Sequence, residues 1–150
     1  GGFVGGIGDY VALFEPNATA MEKEGKGYVV MSIGEMSGEI PYTVYNAKKS
    51  FIAENKDVVA GFSKAIQRGL DFVNASTAEE IADVIASQFP DTDREDLVKV
   101  IQRYKDIGAY AENTLLTQES FALLLDIVEE AGELDQRAPY DALVDTTFAK

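Results

Sequence analysis

Two different hydrophobic patterns divide the chain near Asn46. Residues 1–46 hold short apolar runs between glycines and prolines, whereas from residue 47 onward apolar residues recur every three to four positions. Short apolar runs of this kind are typical of strands buried on both faces, and the longer spacing is typical of amphipathic helices. The pattern therefore predicts a strand-containing first part and a helical second part.

The first part predicts the order strand, helix, strand, followed by a third candidate strand. The three strands are predicted at Tyr10–Phe14, Tyr28–Ile33 and Pro41–Asn46. Between the first two, Glu15–Glu24 has a proline near its start and is followed by Gly25. Proline at the first turn and glycine just past the end favour a short helix.

The second part predicts four amphipathic helices, because start signals, stop signals and periodicity agree. The apolar face of the first helix carries Val58, Phe62, Ile66 and Leu70. A Ser or Thr followed three residues later by Glu precedes the second and third helices, and such a capping box satisfies two free N–H groups. The predicted starts are Asn55, Ser76 or Thr77, Thr92 and Thr117, and the predicted stops are Pro90, Gly108 and Gly132.

These helices need a partner surface. Two or three short strands form a sheet too small to cover four amphipathic helices, unless the helices close on one another as a bundle. Because the pattern begins in mid-element at a glycine, we expect the chain to be a fragment or a processed product. We expect its exposed apolar surface to be covered by a missing segment of chain or by a second copy.

Composition narrows the classes of function. The net charge of −13 would repel a phosphate backbone, so we expect no nucleic-acid partner. The chain has no His and no Cys, which removes thiolate nucleophiles, the usual zinc ligands and the commonest proton-transfer group. The acidic cluster Asp91, Asp93, Glu95 and Asp96 lacks the Gly and terminal Glu of a calcium loop and suits a helix start. We therefore expect no metal ion, no cofactor and no catalytic residue.

A series of short motifs resembles one family. The segment Gly8–Pro16 resembles the G-x-x-D-A-A-hydrophobic-x-E-P stretch of the SsuA/TauA/NMT1-THI5-like solute-binding family. Further segments follow in the family's order, at Gly25–Val30, Gly38–Thr43, Asn55–Phe62, Phe89–Asp93, Glu130–Leu134 and Pro139–Phe148. The serial order is more specific than any one motif. The resemblance spans the whole chain but corresponds to the latter half of a family member.

The resemblance implies an α/β fold, namely the C-terminal half of a bilobal type II periplasmic-binding-protein fold with short strands and a helix-rich segment. Residues 1–38 would form the end of the second lobe. Residues 39–150 would form a crossing segment and a helical return to the first lobe. The missing N-terminal half would supply most of the first sheet.

The implied function is that of an extracytoplasmic solute-binding component of an ABC importer, not an enzyme. Such a protein binds a small molecule between its lobes, here of the nitrate, sulfonate, taurine or thiamine-pyrimidine class, and docks on a membrane permease. It would be periplasmic or a lipoprotein anchored at the outer face of the cell membrane. The alternatives are a thiamine-pyrimidine synthase-like enzyme, which uses His and Cys, and a free-standing helical interaction module formed by residues 47–150.

Five residues are candidates for ligand binding: Phe14, Glu15, Asn17, Tyr42 and Thr43. The first three form a strand-to-helix turn, a place where ligands gather in open α/β sheets. The Glu15 carboxylate could accept hydrogen bonds from an amino-bearing ligand, or Glu15 and Asn17 could simply cap the helix. An oxyanion ligand would use the N–H groups near Asn17 instead. On the crossing segment, Tyr42 and Thr43 could line the cleft, while Tyr45 faces the side opposite Tyr42.

Overall fold

The computed structural model describes residues 1–149, and their regular structure is helical. Helices of the first half are α1 (Asn17–Lys23), α2 (Ile33–Ser37), α3 (Lys49–Glu54) and α4 (Lys56–Ala75). They are followed by α5 (Ala78–Ile85), a 3₁₀ turn (Ala86–Gln88), α6 (Arg94–Asp106), α7 (Gln118–Glu130) and α8 (Tyr140–Leu143). No helix among these residues is both long enough and apolar enough to span a membrane.

The predicted caps of α5 and α7 are confirmed. The Thr77 side chain accepts a hydrogen bond from the N–H of Glu80 at 3.2 Å, and the Glu80 carboxylate accepts one from the N–H of Thr77 at 2.9 Å. Of the two predicted starts, Ser76 and Thr77, the capping residue is therefore Thr77. Thr117 accepts a bond from the N–H of Ser120 at 3.1 Å and begins α7 in the same way.

Thr92 does not cap α6, so that prediction is wrong. The residue before α6 is Asp93, and its side chain makes no capping bond. The predicted stops after α6 and α7 are confirmed, because Gly108 has φ +64° and Gly132 has φ +74°. A residue without Cβ adopts this left-handed conformation at little steric cost.

The three predicted strands do not form within residues 1–149. The backbone at Tyr10–Phe14 and Pro41–Asn46 is irregular, and the last residue of Tyr28–Ile33 begins α2. A strand needs a neighbouring strand to bond its N–H and C=O groups, and no such neighbour stands beside these segments in the described chain. Their apolar side chains are correspondingly open, with Tyr10 81% and Tyr28 85% exposed.

The chain divides into two compact units. Unit 1 contains Gly1–Glu35 and Ser76–Tyr110, and unit 2 contains Met36–Ala75 with the chain from Ala111 onward. The boundary at residue 38 between the two lobes of a complete protein stays a prediction.

The buried core lies in unit 1, between α5 and α6. These two helices pack against each other, and α1 packs against α6. The buried apolar residues are Ala78, Ile81, Ala82, Leu97, Val100 and Ile101. The capping box at Thr77 begins α5 directly beside this core, so local and tertiary interactions stabilise the same pair of helices.

Polar contacts connect α4 to the segment that follows residue 110 in unit 2. Gln67 donates to the C=O of Glu112 at 3.2 Å and accepts from the N–H of Thr114 at 3.2 Å. Asn74 donates to the C=O of Ala111 at 3.0 Å. No residue of α4 or α7 is buried. The predicted apolar face of α4 is therefore present but only partly covered, with Val58 and Phe62 exposed and Ile66 and Leu70 half-buried.

Exposed apolar surface is extensive, as predicted. The accessible surface is 11108 Å². Two independent globular domains of half this mass would together expose about 9,000 Å². On α4, Val58 is 61% and Phe62 46% exposed. The apolar faces are thus suited to contact further protein.

Candidate functional site

The turn before α1 is built around the Glu15 carboxylate. Its Oε2 atom accepts a hydrogen bond from the N–H of Thr19 at 2.9 Å, so Glu15 caps α1. The peptide bond between Glu15 and Pro16 is cis. Asn17 is the first residue of α1 and is exposed, and the ring of Phe14 is 65% exposed. These residues, Phe14–Asn17, are called the Glu-Pro corner below.

Arg103 of α6 joins the Glu-Pro corner to the helical core of unit 1. Its guanidinium donates to Glu15 Oε1 at 2.9 Å and to Thr19 Oγ1 at 2.9 Å, and it pairs with Glu22. Lys99 pairs with the same Glu22 carboxylate at 3.0 Å. Glu15, Thr19, Glu22, Lys99 and Arg103 together are called the Arg103 network.

The centre of this network is shielded from water. The side chains of Glu15 and Arg103 are 9% and 28% exposed, and Thr19 is 1% exposed. Charged hydrogen bonds shielded in this way are stronger than exposed ones, and losing one partner leaves the other unsatisfied.

The sequence does not single out Arg103, because its partners lie more than 80 positions away. A weak signal exists in the helical periodicity. Arg103 follows the buried Val100 by three positions, which places it at the edge of the buried face of α6.

Glu22 is the most strongly perturbed carboxylate of the network. The N–H of Val29 donates to it, and the side chains of Arg103 and Lys99 donate as well. These bonds stabilise the charged form and lower the pKa of Glu22 to about 2, although burial acts in the opposite direction. Glu22 therefore stays ionised and keeps pairing with Arg103 under mildly acidic conditions.

Part of the predicted acidic cluster pairs with a lysine of α1. Lys23 contacts Asp93 at 2.8 Å and Asp96 at 2.6 Å. The two hydrogen bonds raise the pKa of Lys23, and the bond from Lys23 lowers the pKa of Asp93. Residues 1–149 contain no group of three or more carboxylates placed to hold a metal ion. These pairs hold α1 on α6.

Two backbone donors just after the Glu-Pro corner are already in use. The N–H of Ala18 donates to the C=O of Phe14 at 3.3 Å, and that of Thr19 donates to Glu15. The alternative in which an oxyanion binds these N–H groups therefore lacks two of its donors. The ring of Phe14 and the amide of Asn17 remain as exposed groups of this turn.

Tyr42 and Thr43, the other two candidates, lie in unit 2. Both are exposed, Tyr42 to 78%. The ring of Tyr45 packs edge-on against Phe62 of α4 at a centroid distance of 4.8 Å. Tyr45 thus packs on α4 by a ring edge, although its side chain is 76% exposed, about as much as that of Tyr42.

Comparisons with known proteins agree with the motif order. The chain matches the model of the family described as "NMT1/THI5 like" over residues 6–80. The Bacillus subtilis (strain 168) protein named "Putative binding protein YtlA" is 40% identical over 148 residues, which cover 99% of this chain and 44% of the relative. The chain thus spans less than half the length of that relative. No solved structure matches the chain. On the family match and this identity, the chain belongs to the NMT1/THI5-like family.

Proposed function

We propose that this chain is the C-terminal half of a two-lobed receptor that binds a small solute outside the cytoplasm and delivers it to an ABC importer. One observation carries the proposal. Nearly the whole chain aligns with less than half of a protein named as a binding protein, while its own helices leave apolar faces uncovered. A half-protein whose missing part supplies the sheet accounts for both facts.

The proposed ligand site combines two groups of residues. Phe14, Glu15 and Asn17 of unit 1 and Tyr42 and Thr43 of unit 2 are the residues that we propose to contact the ligand. Aromatic rings offer stacking surfaces, and amide and hydroxyl groups fix orientation. The solute would be of the nitrate, sulfonate, taurine or thiamine-pyrimidine class that the family resemblance implies.

In this proposal the protein binds and performs no chemistry. Contacts that exist only in the closed state would shift the equilibrium towards closure, and the closed form would dock on the permease. The receptor would be periplasmic or lipid-anchored at the outer face of the membrane.

The proposal is tested by ligand-dependent thermal stabilisation of the complete protein that contains this chain. The panel comprises nitrate, taurine, an alkanesulfonate, an aminopyrimidine and a flavin. At about one hundred times its Kd, a ligand adds about 2.7 kcal/mol to the stability of the folded state. We expect one class to raise the melting temperature and to compact the protein in small-angle scattering.

Matched tyrosine variants locate the site. Tyr42→Ala is expected to weaken binding at least several-fold, whereas Tyr28→Ala removes an equally exposed ring outside the proposed site and should leave the Kd unchanged. Absence of any stabilisation across the panel would refute the receptor function. Consumption of a pyridoxal compound by the complete protein would instead favour a thiamine-pyrimidine synthase.

A further inference from the structure

Both carboxylate oxygens of Glu15 already have partners within unit 1. Oε1 accepts from Arg103 and Oε2 accepts from the N–H of Thr19, each at 2.9 Å. With the side chain only 9% exposed, little of the carboxylate meets solvent. A charged group of a ligand therefore has restricted access to Glu15.

The charges behind the Glu-Pro corner are balanced. Glu15 and Glu22 carry two negative charges, and Arg103 and Lys99 carry two positive charges, all linked by ion pairs. Opposite charges in contact largely cancel at the distance of a ligand. The corner therefore presents little net charge in spite of its glutamate.

The groups that the corner exposes are themselves uncharged. The ring of Phe14 is 65% exposed, and the exposed Asn17 amide is both a donor and an acceptor. The N–H groups of Ala18 and Thr19 are occupied, so an oxyanion has no donor from them. An aromatic face beside an amide suits a planar, neutral group.

We infer that Arg103 is a positioning residue that neutralises the Glu15 carboxylate, so that the Glu-Pro corner receives an uncharged, ring-bearing part of the ligand against Phe14. The inference rests on the proposed function, because it takes the corner to contact the ligand. It narrows the solute class to molecules with a neutral ring and disfavours contact of a bare nitrate or sulfonate group with the corner.

The test uses three probes that share one ring and differ in charge: benzyl alcohol, benzylamine and phenylmethanesulfonate. Their Kd values are measured on the complete protein by ligand-observed NMR. The variants are Arg103→Gln, the double variant Glu15→Gln with Arg103→Gln, and the control Arg94→Gln. Arg94 also lies on α6 but pairs with the exposed Asp83 at 2.6 Å, away from the corner.

We expect the wild-type protein to bind benzyl alcohol at least as well as the charged probes. Arg103→Gln should shift the preference towards benzylamine by roughly tenfold, because the freed carboxylate gains a charge-assisted hydrogen bond. The double variant should restore the wild-type preference, and Arg94→Gln should not change it. A purely structural role would lower stability and leave these preferences unaltered.

An unchanged preference in Arg103→Gln would overturn the inference. If that variant does not fold, Glu15→Gln serves instead, since it removes one negative charge beside Arg103, which keeps its bonds to Thr19 and Glu22, and should shift the preference towards phenylmethanesulfonate. If the preference does not shift in Glu15→Gln, the inference is overturned as well. The two proposals can be refuted separately. If neither the panel nor the probes bind, the receptor function is refuted. If they bind but the preference does not depend on Arg103, only this inference is refuted.

Discussion

The backbone N–H of Val29 donates a hydrogen bond to the Glu22 carboxylate at 3.0 Å. Val29 belongs to the irregular segment after α1, and Glu22 also pairs with Arg103 and Lys99 of α6. This carboxylate therefore ties the segment, α1 and α6 together.

Acid is expected to weaken unit 1 through Glu22. Its pKa falls from 4.5 to about 2 on folding, so ionised Glu22 stabilises the folded state above about pH 4.5. That contribution is lost progressively as the pH falls from about 4.5 to about 2, because protonation then removes the bonds to Arg103 and Lys99.

Urea unfolding at a series of pH values measures this effect. Glu22→Gln should flatten the loss of stability across the acid range, and Asp83→Asn, which removes an exposed carboxylate of α5, should alter it less. An acid dependence that is identical in wild type and Glu22→Gln would contradict the assignment.

The caps of α5 and α6 should differ in their contribution to stability. Thr77→Ala removes the bond that the Thr77 hydroxyl accepts from the N–H of Glu80 and leaves the backbone bond to the Glu80 carboxylate, and we expect a loss of about 1 kcal/mol in the free energy of unfolding. Thr92→Ala, at the position where no capping bond forms, should change it by less than about 0.5 kcal/mol.

Chemical denaturation monitored by circular dichroism measures the free energy of unfolding of the Thr77→Ala and Thr92→Ala variants. An equal loss in the two variants would contradict the assignment of Thr77 as the cap of α5. Thr117→Ala offers a second comparison, because Thr117 caps α7 in unit 2 with a single bond from Ser120.

The uncovered face of α4 should become buried in the complete protein. Val58→Glu is therefore expected to cost little in the isolated 150-residue chain, where Val58 is 61% exposed. In the complete protein the same change should destabilise by more than about 2 kcal/mol, because it places an unpaired charge in an apolar contact. Asp57→Ala, at the adjacent position of α4, is the control.

This prediction is tested by the melting temperatures of the isolated chain and of the complete protein, each measured with Val58→Glu and with Asp57→Ala. A small effect of Val58→Glu in the complete protein would show that this face stays open. Sedimentation of the isolated chain distinguishes the two predicted partners of this apolar face. A dimer would indicate that a second copy covers it, whereas a monomer that binds a hydrophobic dye would indicate that the rest of the complete protein covers it.

The sequence by itself determined the positions of α1, α4, α5, α6 and α7 and much of their ends, whereas α2, α3 and α8 were not predicted. The bonds at Thr77 and Thr117 span only three residues, so the residues that form them can be recognised without any tertiary information. Gly108 and Gly132 end their helices for the same reason, since a left-handed turn is a local requirement. The order of motifs along the chain likewise identified the family.

Only the tertiary structure showed which groups engage both oxygens of Glu15. A glutamate before a helix predicts either a cap or a ligand contact, and the partner that engages its second oxygen lies on α6, 88 positions later. The three predicted strands do not form for a related reason. The apolar runs at Tyr10–Phe14 and Tyr28–Ile33 predict strands correctly only if neighbouring strands exist, because a sheet is made of hydrogen bonds between segments and not within one.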